Sequence, residues 1–174
     1  MCSSDLANVT GVWDYFTGTG ITISVVDDGL DKDHPDISPN YSPTHSYDWC
    51  NNDADPSPSS WNGHGTAAGG VAAAAGDNTI HVAGAAYDAT IAGSTLIACW
   101  AGDATEANAL SYHQNDIDIY TNSWGPSDNG QTLEAPGPLT LAAMEDDVYN
   151  GRNGYGNIIT WAAGNGLDNN DNVN

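Results

Sequence analysis

Three apolar runs in this chain each end abruptly in a polar residue, and this pattern constrains the fold more than any other feature. The runs and the polar residues that follow them are 21–26 with Asp27, 117–122 with Ser123, and 157–162 with Asn165. A fourth apolar run covers about 89–97, and segments with helical character separate the runs. Strands that alternate with helices favour a mostly parallel sheet covered on both faces. The sequence therefore predicts an α/β three-layer sandwich.

The connecting segments carry more detailed expectations. Residues 31–62 contain five prolines and many Asp, Asn and Ser residues, so we expect a long surface excursion rather than part of the sheet. Helices are predicted at about 64–75, at 105–114 with Thr105 or Asp103 as its cap, and at 139–150. In the last helix the spacing predicts an inward face of Leu141, Met144 and Val148 and an outward face of Glu145, Asp146 and Asp147.

His64 lies immediately before a run of small residues at 67–75, so it is placed at or near the start of a helix. Small residues allow that helix to lie close to a sheet, which makes the imidazole part of a rigid element. A helix N-terminus disfavours the protonated ring, so we expect the pKa of His64 to be lowered. These properties suit a general base near neutral pH.

Charge narrows the range of partners. The 174 residues include 2 basic and 23 acidic residues, which gives a formal net charge of -21. Nucleic acid and anionic membranes are therefore poor partners for this chain, whereas cations such as calcium and basic peptides are plausible ones. A solvated, salt-tolerant surface explains the same charge without any partner. No segment is long and apolar enough to predict a membrane span.

Cysteine content leaves the compartment open. Cys2, Cys50 and Cys99 make an odd count, so at most one internal disulfide can form, and the sequence does not say which. Residues 1–6 have the character of a non-native scar, and we expect residues 7–174 to form part of one domain.

The polar strand ends and His64 suggest one chemistry. The carboxyl ends of parallel strands gather at one edge of a sheet, so Asp27, His64 and Asn165 are expected to converge there. A carboxylate beside an imidazole fixes its tautomer and stabilises the imidazolium, and a neutral carboxamide can donate to an oxyanion. These are the acid, the base and the oxyanion donor of a serine hydrolase; the nucleophile is missing.

Four segments, VVDDGLDKDHPD, NGHGTAAGG, NSWGP and WAAGNG, resemble the subtilisin-like serine proteases in content and order. The doubled acid, HPD and IDIYTNSWGP are similar to the kexin and furin branch, the calcium-dependent proprotein convertases. The resemblance covers nearly the whole chain. It implies a subtilisin-like fold and an endopeptidase that cleaves after basic or dibasic residues.

The resemblance also implies substrate-binding residues. Asp28 matches an acid that faces the second basic residue of the substrate, and Asp128 matches an acid at the primary pocket. Glu106 and Glu134 fall where the branch has acids for a more distant basic residue. Strand residues that pair with the substrate backbone and wall the pocket are matched by Ser123, Trp124, Gly125 and Pro126. Carboxylates suit this task because they form charge-assisted hydrogen bonds with Lys and Arg.

Calcium is implied in the same way. One family site is matched by Asp36, Asn78 and the carbonyls of Ala75, Ile80 and Val82. A second is matched in part by Asp128 and Asp171. Oxygen donors of this kind suit calcium.

The chain departs from the family in lacking the Gly-Thr-Ser segment that carries the nucleophile. We therefore expect this chain to be the N-terminal part of a catalytic domain and to be inactive alone. The parent is expected to be a secreted, periplasmic or cell-surface monomer that acts on peptides or proteins, its own propeptide included. One alternative is a calcium-stabilised, non-catalytic binding module of the same fold. Another is an acidic calcium or surface protein of unrelated fold.

Overall fold

The computed structural model describes residues 8–169, which build one five-stranded sheet with three helices. The strands are β1 (Thr22–Asp27), β2 (Tyr47–Asp48), β3 (Thr90–Thr95), β4 (Ile119–Asn122) and β5 (Ile158–Trp161). The helices are α1 (His64–Ala73), α2 (Asp103–Leu110) and α3 (Pro138–Gly154), and a 3-10 turn covers Leu167–Asn169. The strand order is β2-β3-β1-β4-β5 and every pairing is parallel, so the predicted α/β sandwich is confirmed.

Strand β1 lies at the centre of the sheet and supplies both faces of the core. Ile23 and Val25 belong to an apolar cluster on the α1 side, whereas Val26 belongs to a cluster with the α2 residues Ala109 and Leu110. This alternation follows from the two-residue period of a strand. The helices therefore cover the sheet from both sides, and the polar residues at the strand ends stay at its edge.

The segment 31–62 differs from the prediction because part of it joins the sheet. Tyr47 and Asp48 pair in parallel with Ser94 and Thr95 of β3, and they form the outer strand β2. A disulfide between Cys50 and Cys99 joins the chain just beyond β2 to the chain just beyond β3. A two-residue strand is too short to show a period in sequence, which is why the pattern did not predict it. Cys2 lies outside the described residues.

The three helices lie where they were predicted, but the predicted cap of α2 was wrong. Helix α2 begins at Asp103, and neither Thr105 nor Asp103 caps it; Gly102 holds the cap position without a side-chain hydrogen bond. The Asp103 carboxylate accepts hydrogen bonds from the backbone N–H groups of Leu139 and Thr140 instead. Asp103 therefore caps the start of α3, which a scan of local sequence cannot reveal because the two helices are far apart in the chain.

The buried face of α3 is rotated from the predicted one. Thr140, Asp147 and Gly151 are buried, whereas Leu141 and Val148 are exposed. Met144 packs against the core as expected, and Glu145 and Asp146 are exposed as expected. The prediction of an outward Asp147 was wrong, because Asp147 is buried together with Thr140 and Gly151, whereas Leu141 and Val148 face solvent.

Candidate active site

The predicted polar strand ends occupy one edge of the sheet. Asp27 is the last residue of β1, Ser123 directly follows β4, and Asn165 lies four residues beyond the end of β5. Because β1, β4 and β5 run in parallel, their carboxyl ends lie at the same edge. His64 reaches this edge as the first residue of α1.

Asp27 and His64 form a direct carboxylate–imidazole pair. The His64 Nδ1 atom lies 2.9 Å from Oδ1 and 3.0 Å from Oδ2 of Asp27. The Asp27 side chain is 1% exposed and that of His64 is 58% exposed. With the Nδ1–H donating to the carboxylate, the neutral ring carries its lone pair on Nε2, the other ring nitrogen. This is the arrangement that a general base requires.

Each member of the pair shifts the pKa of the other. Burial raises the pKa of Asp27, and the hydrogen bonds from His64 and from the backbone N–H of Asp28 oppose that rise. The hydrogen bond and the charge of Asp27 raise the pKa of His64. The expected lowering by the helix N-terminus was wrong, because a carboxylate in direct contact outweighs a partial helix charge.

Helix α1 is held against β1 by close backbone contact and by Asp28. The carboxylate of Asp28 accepts hydrogen bonds from the backbone N–H of His64 at 3.2 Å and of Gly65 at 2.8 Å. Asp28 thus stabilises the free N–H groups at the start of α1, as a carboxylate near a helix N-terminus does.

A cavity of about 750 Å³ collects most of the predicted substrate-binding residues, although Asp27, Asp28 and His64 are not among the residues that line it. The cavity is lined by Glu106, Ser123, Trp124, Gly125, Pro126, Asp128, Glu134 and Asn165, together with residues around Trp100 and Trp161. Neither of the two basic residues of the chain lines it. Lys32 pairs with Asp55 at 3.3 Å, and Arg152 pairs with Asp118 at 2.7 Å. The cavity is therefore acidic and lacks a basic side chain.

Two tryptophans fix the wall of the cavity. The Trp124 Nε1–H donates to the Val26 carbonyl at 2.9 Å, and the Trp161 Nε1–H donates to the Trp124 carbonyl at 2.6 Å. Their ring centroids lie 4.5 Å apart in an edge-to-face arrangement. Trp161 was not among the predicted site residues, although its place near the end of the predicted strand 157–162 was a usable signal.

Asn165 lines the cavity but is bound to Asp128. The Asn165 backbone N–H donates to Asp128 Oδ1 at 2.8 Å, and its side-chain Nδ2 lies 3.5 Å from Asp128 Oδ2. No hydrogen bond within residues 8–169 joins Asn165 to Asp27 or His64. The predicted oxyanion donor is therefore at the right edge of the sheet, with its carboxamide turned towards an acid of the pocket.

The two outer acids differ in their surroundings. Glu106 lies in the first turn of α2 and accepts a hydrogen bond from the Thr140 hydroxyl at 3.3 Å. Glu134 is exposed in the loop before α3. Both line the cavity, so both can meet a basic group of a bound peptide.

Residues of the first predicted calcium site surround a buried carboxylate. Asp36 is 1% exposed, and its carboxylate accepts hydrogen bonds from the Asn78 side chain at 2.9 Å and from the Val82 N–H at 3.1 Å. A cavity of about 240 Å³ is lined by Ala75, Asn78, Ile80 and Val82. A buried carboxylate, a carboxamide and loop carbonyls form an oxygen donor set that fits calcium.

The second predicted calcium site is described in part. Asp128 is exposed and holds Asn165, as given above, and its carbonyl accepts from the Asn169 side chain at 2.8 Å. Asp171 lies outside the described residues. Across residues 8–169, no helix has the length and apolar character needed to cross a membrane.

Comparisons with known proteins agree with this geometry. The model of the subtilase family of peptidases (Peptidase_S8) matches residues 18–174. Proprotein convertase subtilisin/kexin type 6 of Rattus norvegicus is 42% identical over 170 residues, which cover 95% of this chain and 18% of that protein. Proprotein convertase subtilisin/kexin type 7 of Mus musculus is 45% identical over 172 residues, covering 96% of this chain and 22% of that protein.

The fold is also similar to that of a solved serine protease structure. The serine protease of Aeromonas sobria superposes with a TM-score of 0.72 at 28% identity, covering 86% of this chain and 26% of that protein. The chain thus spans about a fifth to a quarter of the length of these relatives.

Proposed function

The chain belongs to the subtilase family, with proprotein convertases among its relatives, and we propose that it supplies the acid, the base and the substrate pocket of a serine endopeptidase. The observation that carries the proposal is the contact of a buried carboxylate, Asp27, with the exposed imidazole of His64. In this proposal His64 Nε2 takes the proton of an attacking serine hydroxyl. Asp27 holds the ring and stabilises the imidazolium that forms.

The nucleophile is proposed to come from a segment outside these 174 residues. Within residues 8–169, no serine hydroxyl is hydrogen-bonded to His64. Ser94 is buried in β3 and accepts from the Trp49 side chain, and the Ser111 hydroxyl donates to the Ala107 carbonyl. Without a nucleophile the isolated chain cannot form an acyl-enzyme, so we propose that it is inactive alone.

Cleavage after basic residues is proposed from the charge of the cavity. Glu106, Asp128 and Glu134 line it, and both basic residues of the chain are paired with acids elsewhere. An Arg or Lys side chain of a peptide would meet carboxylates there and no like charge. Asp28, beside His64, is proposed to meet a second basic residue, and Asn165 to exchange its contact with Asp128 for the oxyanion.

Calcium and an oxidising compartment complete the proposal. Asp36 and Asn78, with the carbonyls of Ala75, Ile80 and Val82, would hold a calcium ion that neutralises the buried carboxylate and stabilises the 75–82 loop. Asp128 with Asp171 would hold a second ion near the pocket.

The disulfide between Cys50 and Cys99 supports a secreted, periplasmic or cell-surface location, because such bonds persist under oxidising conditions.

Activity is tested in the protein that carries this chain together with its serine segment. We expect it to hydrolyse a fluorogenic peptide ending in Arg-Arg and to leave the matched citrulline-citrulline peptide uncut, because citrulline keeps the shape and removes the charge. His64→Ala should abolish the cleavage. No hydrolysis of either peptide by the complete protein would favour a non-catalytic binding module, and equal hydrolysis of both would reject the basic specificity.

Substrate class is tested separately in the 174-residue chain by tryptophan fluorescence. The Arg-Arg peptide should quench Trp124 or Trp161 on binding, and added salt should weaken that binding. Glu134→Gln should lower the affinity roughly tenfold, the scale of one charge-assisted hydrogen bond. Glu145→Gln removes an exposed acid that does not line the cavity and should leave the affinity unchanged. Equal losses in both variants would mean that net charge alone drives binding.

A further inference from the structure

A cluster of two histidines and an aspartate lies outside the site described above. His45, His113 and Asp116 each offer a ligand atom, and these atoms all lie within 4.8 Å of one another. His45 comes from the segment just before β2, and the other two come from the connection between α2 and β4. The proposed activity uses none of the three.

The local contacts already orient these side chains towards each other. The His45 and His113 ring centroids lie 5.3 Å apart at an interplanar angle of 90°. The Nδ1 atom of His113 lies 3.4 Å from Asp116 Oδ2. Nδ1 of His45 lies 2.8 Å from the Ser42 hydroxyl oxygen. This contact orients the ring, and Nε2 is then the nitrogen whose lone pair can bind a metal ion.

His113 is held in place by its surroundings. Its backbone has a φ of 52°, a left-handed conformation that is uncommon for a residue other than glycine. Its ring also packs edge-to-face on Tyr112, with centroids 4.4 Å apart. The left-handed backbone and the contact with Tyr112 restrict His113 more than a freely rotating surface side chain is restricted.

The cluster comes from other segments of the chain than the catalytic pair. His45 lies before the start of β2, and Asp116 lies before the start of β4. Within the part of the chain that the structure describes, no hydrogen bond or ring contact joins any of the three side chains to Asp27 or His64. A ligand here can affect stability without touching the reacting atoms.

We propose that His45, His113 and Asp116 bind one divalent transition-metal ion of the zinc class. Two imidazoles and one carboxylate form a zinc ligand set, and a water can take the fourth position because Asp116 and His113 are partly open to solvent. Calcium is disfavoured because it prefers oxygen donors. Ligand atoms lie about 2.0–2.2 Å from a bound zinc, so the exposed side chains must close slightly around the ion.

The ion would join two parts of the chain that sequence keeps far apart. It would tie the segment leading into β2 to the connection that leads into β4. Strand β2 has only two residues and pairs with β3 alone among the described strands, so an added link there should stabilise the outer edge of the sheet. Zinc should therefore raise the unfolding midpoint of the chain.

A second histidine pair provides a built-in comparison. The rings of His34 and His81 lie 5.5 Å apart, close to the separation of His45 and His113. Within the described residues, no third His, Cys, Asp or Glu completes a metal-binding group with them. Loss of His81 therefore removes one imidazole from the surface and leaves the proposed site whole.

The test is a calorimetric titration in which Zn²⁺ is the only titrant added to the 174-residue chain. The buffer contains calcium and about 0.15 M salt, which suppress weak binding of zinc to surface acids. The wild type should show one saturable site. His113→Asn, which tolerates the left-handed backbone, and Asp116→Asn should each lower the affinity at least about tenfold. His81→Asn should bind as the wild type does.

The outcomes are decisive in either direction. Circular dichroism of the zinc-free variants shows whether each is folded, and His45→Gln replaces any variant that is not. Cobalt should give a tetrahedral absorption band in the wild type that Asp116→Asn lacks. A wild type with no saturable site, or an Asp116→Asn variant with unchanged affinity, would overturn the proposal. Neither readout depends on proteolysis, so failure here leaves the proposed function untouched.

Discussion

Asp147 has a buried carboxyl group that no hydrogen bond stabilises. It is 0% exposed, and neither of its side-chain oxygens has a hydrogen-bond partner. Burial, with a smaller effect of Asp146, raises its pKa to about 7. The unfolded chain ionises this group near its ordinary pKa, so the folded state loses stability as the pH rises from about 4 to about 7.

We predict that Asp147→Asn removes this loss. A rise of about three pKa units corresponds to about 4 kcal/mol, which sets the upper limit of the effect. Urea unfolding at about pH 4 and about pH 8 should show that the wild type loses up to this much free energy of unfolding relative to the variant.

Asp146 is the matched control for that experiment. It is the neighbouring acid, it is exposed, and hydrogen bonds from Asn150 and Gln114 lower its pKa. Asp146→Asn should therefore not protect the fold at high pH. A parallel pH dependence of the wild type and Asp147→Asn would show that the Asp147 carboxyl is already solvated.

At the scale of elements, the approach of α1 to the sheet places the catalytic base. A methyl group at Gly65 would meet the Gly29 carbonyl and lie 2.7 Å from Asp27 Cβ, and one at Gly69 would lie 2.9 Å from Leu30 Cδ1. At Gly65 the obstacle includes rigid backbone, so only hydrogen fits there, whereas at Gly69 the Leu30 and Ile91 methyl groups would have to shift. Gly69 belongs to the run of small residues, 67–75, that suggested a close helix in the sequence, whereas Gly65 precedes that run.

We predict that Gly65→Ala destabilises the chain by about 1–3 kcal/mol, the usual cost of overpacking. The same change should push His64 away from Asp27 and lower the pKa of His64. Gly70→Ala, in the same helix, meets nothing within 4 Å and should be neutral or stabilising by about 0.5–1 kcal/mol. Equal effects of the two substitutions, measured by chemical unfolding, would contradict the close-contact account.

The features of the fold that could not be predicted from the sequence depend on contacts between distant segments of the chain. The apolar runs of β1, β4 and β5 were long enough to predict, and their polar ends gave Asp27, Ser123 and Asn165. The cap that Asp103 provides for α3, the two-residue strand β2 and the inward turn of Asp147 each depend on a contact between distant segments. Local periodicity carries no information about such contacts.

At the scale of the whole molecule, the disulfide between Cys50 and Cys99 closes a loop with a sequence separation of 49 residues. Chain-entropy arguments give about 2–4 kcal/mol for a bridge of this kind. Replacement of both residues by Ser should lower the free energy of unfolding by that amount. Cys2→Ser should change nothing, and a stable Cys50→Ser/Cys99→Ser variant with an unaltered unfolding curve would contradict this assignment.

Calcium removal makes a separate whole-molecule prediction. Chelation should lower the unfolding midpoint, because an ion at 100 times its dissociation constant adds about 2.7 kcal/mol. Asp36→Asn should remove the part of this dependence on calcium that comes from the site around Asp36, and the proposed ion at Asp128 and Asp171 should remain. Asp33→Asn, which removes an exposed acid paired with Lys32, should keep it. A calcium effect of equal size in both variants would place the ion elsewhere.

One measurement bears most directly on the central claim that Asp27 and His64 form an acid–base pair. The titration of the His64 ring can be followed by NMR in the 174-residue chain, in the wild type and in Asp27→Asn. The structure predicts a raised pKa for His64 that falls in the variant, because the carboxylate that raises it has been removed. An ordinary pKa for His64 that does not respond to loss of the Asp27 charge would contradict the claim.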